Sequence, residues 1–100
     1  MAWPFDVDAP TFNTGLMAVP TGLTVISTDT VYLMGAFFSN PSGTSITILL
    51  TNTAGDALAP TMEVPAGMAI RVPIELFQPT VGLKWQAGGS GLKGQVYGYD

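Results

Sequence analysis

Ser45-Ile46-Thr47-Ile48-Leu49-Leu50-Thr51, residues 45–51, is the stretch whose reading decides the fold. Successive side chains of a β-strand point to opposite faces. Here Ile46, Ile48 and Leu50 fall on one face, and Ser45, Thr47, Leu49 and Thr51 on the other. Residues with branched β-carbons stand on both. No helical period places those apolar positions on one side, so the segment is a strand. Asn52-Thr53-Ala54-Gly55-Asp56 follows as a turn, and a short strand around Thr61 to Val64 predicts a hairpin.

The same grammar extends in both directions. Pro65-Ala66-Gly67 makes a tight connection. Met68, Ile70, Val72 and Ile74 then alternate with Ala69, Arg71, Pro73 and Glu75. Pro73 has no N–H for a ladder, which puts this strand at an edge or ends it there. Leu83, Trp85 and Ala87 are expected to point inward from the next strand. Gly88-Gly89-Ser90-Gly91 turns the chain, and Leu92 to Tyr99 closes the domain as a last strand. Toward the N-terminus, Val31-Tyr32-Leu33-Met34-Gly35-Ala36-Phe37-Phe38 is the longest apolar run, stopped by Asn40-Pro41-Ser42-Gly43. An uninterrupted run of this kind predicts a strand buried on both faces. Residues 23–27 read as a separate short strand, and 11–19 as a first strand interrupted at Gly15. Eight prolines and twelve glycines break every window long enough for a helix. The expectation is an all-β domain, an antiparallel β-sandwich or small barrel of about seven to eight strands over 11–100.

Residues 1–10 form an extended N-terminal arm bounded by Pro4 and Pro10. It carries Trp3 and Phe5, large rings that either fold back on their own domain or pack on a neighbour. These two are the candidate contacts to another subunit or to a larger assembly. The opening residues have no basic region and no continuous apolar stretch, so a signal peptide is not expected. No run of apolar residues predicts a bilayer span.

Composition narrows the function. The 100 residues include 47% hydrophobic but only 10% charged ones, against about 25% charged in an average soluble domain. Twelve threonines, five serines and twelve glycines replace the missing charge. Such a surface suits a protein that hides much of it against other subunits. The net charge is −4, and the only bases are Arg71, Lys84 and Lys93. Binding to nucleic acid or to an anionic membrane needs clustered lysines and arginines, so neither partner is expected.

The residues of catalysis are scarce. The chain contains no histidine and no cysteine, which removes the commonest general base, the commonest metal ligand, the thiol nucleophile and any disulfide. Gly89-Ser90-Gly91 lacks the strand-to-helix frame of a nucleophile elbow. The Gly88–Gly91 loop leads into a strand and so is no phosphate loop. Asp6 and Asp8 share one face of an extended arm, where a solvated pair is the ordinary reading. Glu63 and Glu75 lie on separate strands with nothing to bring them together. No enzyme activity, cofactor, metal site or small-molecule substrate is expected. Trp85, Tyr97 and Tyr99 could form an aromatic platform for a carbohydrate or a base, although such rings on neighbouring strands more often pack together.

From about residue 44 onward the chain resembles small bacteriophage virion proteins of the capsid-decoration, or cement, type. The resemblance is carried by Ser45–Gly55, by Val64-Pro65-Ala66-Gly67, by Gly82-Leu83-Lys84-Trp85-Gln86, and above all by Gly91-Leu92-Lys93-Gly94-Gln95-Val96-Tyr97-Gly98-Tyr99. It covers a little over half of the chain, and residues 1–43 take no part in it. It implies a structural protein on the outer surface of the virion, a homotrimer partnered by the major capsid protein. A small tail, adaptor or fibre-associated virion protein, and a carbohydrate-binding β-sandwich module, are the alternatives.

Overall fold

The computed structural model describes residues 11–73 and 79–100. Among them every regular element is a strand: β1 (Phe12–Asn13), β2 (Met17–Ala18), β3 (Thr24–Ser39), β4 (Ile46–Thr51), β5 (Met62–Val64), β6 (Ala69–Pro73), β7 (Thr80–Ala87) and β8 (Lys93–Tyr99). All pairings are antiparallel and join the strands into one sheet in the order β1-β8-β3-β7-β4-β5, with β2 also on β8 and β6 also on β3. The sheet does not close on itself, so of the two expected architectures the barrel is not formed.

β3 organises the molecule. Its 16 residues absorb both the short strand expected at 23–27 and the apolar run at 31–38. The first half pairs with β7 from Thr24↔Trp85 to Val31↔Thr80. The second half lies between two strands, because Gly35 is paired with Tyr97 of β8 and with Pro73 of β6. The register shifts between Val25 and Ser27, between Ser27 and Thr30, and between Leu33 and Gly35. Each shift is an irregularity of the bulge type, which bends a strand and raises its twist. Val19 N donates to Leu92 O at 2.9 Å and Ala87 N to Pro20 O at 2.8 Å, so the segment before β3 bridges the end of β7 and the start of β8.

The two leaves, β7-β4-β5 on the first half of β3 and β8-β6 on the second, share one core. Val31, Leu33, Ala36 and Phe38 from β3 join Ile46, Ile48 and Leu50 from β4, Val64 from β5, Leu83, Trp85 and Ala87 from β7, and Val96 from β8. Fully burying a ring as large as Phe38 or Trp85 contributes roughly 1.5–3 kcal/mol. The hairpin reading holds, with Ile46↔Val64 and Ile48↔Met62 in register. So does the inward set of β7, since Leu83, Trp85 and Ala87 are at most 1% exposed. Pro73 is the last described residue of β6, whose only described neighbour is β3. The strand expected over 11–19 with its interruption at Gly15 is two short pieces, β1 and β2, separated around that glycine, whose φ of 68° suits it.

One expectation is corrected. The run Val31–Phe38 is not buried on both faces throughout. Val31, Leu33, Ala36 and Phe38 are buried, whereas Tyr32 and Met34 are 50% and 46% exposed. Met34 has no partner on β8, because Leu33↔Gly98 is followed directly by Gly35↔Tyr97. That extra residue reverses the alternation, so apolar residues stand on both sides of the strand and only one side faces the core.

Candidate assembly surfaces

The stop after β3 is built by one buried side chain. Asn40 is fully buried and donates through Nδ2 to Thr44 O at 2.8 Å and to Val64 O at 2.9 Å. Its Oδ1 accepts from Ser42 N at 3.0 Å and from Ser42 Oγ at 2.6 Å. Donors and acceptor are thus all engaged, and the amide pins the 40–44 loop to the end of β5. This is a structural node, and it also accounts for Ser42, one of the two serines in glycine-containing turns.

The residues considered for chemistry stay apart. Glu63 is exposed on β5 opposite Thr47, and Asp56 closes a turn in which its N–H donates to Asn52 Oδ1 at 2.9 Å. Asp6, Asp8 and Glu75 lie outside the described residues. Among the described residues, no three of His, Cys, Asp and Glu are grouped as a metal site would require, and no helix is long and apolar enough to cross a membrane. Trp3 and Phe5, the candidate contacts, also lie outside the described residues.

The aromatic platform separates into two. Trp85 faces the core from β7, and is not available on any surface. Tyr97 and Tyr99 lie on β8 with their neighbours Val96 and Gly98 buried, so both rings point outward. Side chains of directly opposed residues share a face, and Tyr32↔Tyr99 and Phe37↔Gln95 therefore place Tyr32 and Phe37 on that same outer side. Arg71 joins them through Phe37↔Arg71, and Lys93 through Ser39↔Lys93. Asn13, opposite Tyr97, accepts at Oδ1 from Gln95 Nε2 at 2.8 Å. The ring of Tyr97 crosses Gly35 so closely that a Cβ there would come within 2.6 Å of its Oη. Glycine at 35 is what lets the tyrosine lie flat on the sheet.

Sequence reasoning did not find this face. It weighed Tyr97 and Tyr99 with Trp85, and read Tyr32 and Phe37 as part of a doubly buried strand. The signal available was the aromatic content of the run Val31–Phe38, but its sorting into two faces depends on the bulge at Met34.

A second exposed apolar region lies on the other leaf. Val25, paired with Lys84, is 49% exposed, and Val81, paired with Thr30, is 63% exposed. Leu23, just before β3, is exposed as well. Thr53 closes one side of this region by donating from N and Oγ1 to Val81 O, at 3.1 Å and 2.8 Å. Among the described residues the first half of β3 pairs with β7 alone.

Comparison of the chain with protein-family models, with curated proteins and with solved structures finds no match.

Proposed function

We propose that this protein is a non-enzymatic structural component of a bacteriophage virion, a decoration protein that binds the outer surface of the head and stabilises it as a homo-oligomer. The observation that carries this reading is the distribution of exposed apolar side chains. Leu16, Met17, Leu23, Val25, Tyr32, Met34, Met68 and Val81 are all more than two-fifths exposed, and they are spread over both leaves. Scattered single apolar residues are ordinary on a monomer. Eight large ones among the described residues, on a chain with ten charged residues, leave much apolar area that association would cover. The resemblance of residues 44–100 to cement proteins supplies the kind of assembly.

Quantitative mass spectrometry of purified phage particles whose genome encodes this chain tests the proposal. Hundreds of copies per head support decoration. A dozen or fewer would move the protein to the tail or an adaptor, and absence from the particle would end the virion reading. Selective binding to a glycan array by a monomeric protein would favour the carbohydrate module.

A further inference from the structure

The outer face of β8, β3 and β6 combines three features. It is aromatic, through Tyr32, Phe37 and Tyr97. It is basic: Arg71 and Lys93 are both exposed there, two of the three bases in the chain. And β6, β8 and the second half of β3 contain no acidic residue at all. A chain of net charge −4 thus presents a local cationic, aromatic surface on one side of one leaf.

The sequence contains a segment of matching chemistry. Residues 1–10 hold Trp3 and Phe5 together with Asp6 and Asp8, and no basic side chain. We infer that this arm, from a second copy of the chain, docks on the aromatic face, with its rings against the exposed rings and its carboxylates toward Arg71 and Lys93. The inference rests on the assembly reading above and names the segment and the surface that make the contact.

The point where the arm joins the fold argues for a second copy. β1 runs antiparallel to β8, with Phe12↔Gly98 and Asn13↔Tyr97, and Asp100 N donates to Thr11 Oγ1 at 2.9 Å. Thr11, the first described residue, therefore lies beside the C-terminal end of β8. Lys93 lies at the opposite end of that strand, roughly 20 Å away at about 3.3 Å per residue, and the Arg71–Phe37–Gln95 row lies in the same direction. The arm is thus attached at the end of this face that lies away from Lys93. Ten extended residues reach at most about 33 Å, enough to cross to an adjoining subunit. Exchange of arms between copies buries two aromatic side chains per contact and sets two carboxylates near two cations.

Sedimentation velocity on the full chain tests this, with circular dichroism confirming that each variant is folded. Arg71 and Lys93 are exposed, so reversing them leaves the core intact. Arg71→Glu with Lys93→Glu is expected to weaken self-association by about tenfold or more, since each exposed pair contributes up to about fivefold and the loss of two pairs is joined by repulsion. Asp6→Lys with Asp8→Lys is expected to do the same, and all four changes together to restore association to within about threefold of the parent chain. Deleting residues 2–9 is expected to abolish it. Association unchanged by either double reversal, no recovery in the fourfold variant, or a parent chain that sediments as a monomer would each overturn the inference. The virion reading fails separately, by absence from the particle, whatever the sedimentation shows.

Discussion

The two halves of β3 are one continuous strand in two different environments. The first half, Thr24–Val31, has one described neighbour, β7, and two register shifts within it. Only Val31 is buried, and three threonines and an aspartate face solvent. The second half, Tyr32–Ser39, pairs with β8, and from Gly35 onward with β6 on its other edge. It buries Leu33, Ala36 and Phe38, and gives Tyr32 and Phe37 to the outer surface. An apolar strand is thus not the same as a doubly buried one. In the second half one set of apolar residues fills the core and the other forms a surface.

Core truncation is expected to show the largest contrast. Phe38→Ala removes a fully buried ring and is expected to cost about 3–5 kcal/mol in urea unfolding. Thr28→Ala, at an exposed position in the first half, is expected to change stability by less than about 0.5 kcal/mol. Similar losses at the two sites would erase the distinction between the halves.

The end of the second half offers the next test. Asn40→Ala deletes two donors and an acceptor at a buried site, leaving Thr44 O and Val64 O without that partner. The expected loss is about 1–3 kcal/mol, again read from denaturant midpoints. A neutral result would mean that the loop after β3 holds its shape without the amide.

Gly35→Val sharpens the comparison at the outer face. The added side chain meets the ring of Tyr97, and overpacking of this kind costs about 1–3 kcal/mol. Because Tyr97 is only half-buried and its ring can swing outward, a cost near the lower bound is expected. The near-ultraviolet circular dichroism of the tyrosines should change with it. Gly22→Ala, where nothing lies within 4 Å of the added Cβ, serves as the control.

The smallest effect on folding is expected at Val25 and Val81. Replacing both by serine should alter stability by less than about 1 kcal/mol, since each is a surface substitution. If the first leaf also takes part in assembly, self-association should weaken in sedimentation. Unchanged association would confine the contact to the aromatic face.

The alternation of Ile46, Ile48 and Leu50, the breakers on either side, and Leu83-Lys84-Trp85-Gln86-Ala87 were enough to read an all-β domain, the β4–β5 hairpin and the inward set of β7. Those features are local. A strand's period of two and the stop made by glycine or proline act over a few residues, and burial follows the pattern wherever the strand pairs. Beyond that hairpin, which strands pair was not legible. The fusion of residues 23–27 with 31–38 into β3, its sharing between two leaves, and the open sheet in place of a barrel depend on contacts among residues far apart in the chain. The outer aromatic face is the clearest case. Tyr32, Phe37, Tyr97 and Arg71 come from three strands, and the bulge at Met34 is what turns Gly35 and Phe37 to the same side as Tyr32. Tertiary structure decided that grouping because register, unlike periodicity, is set by the partner strand.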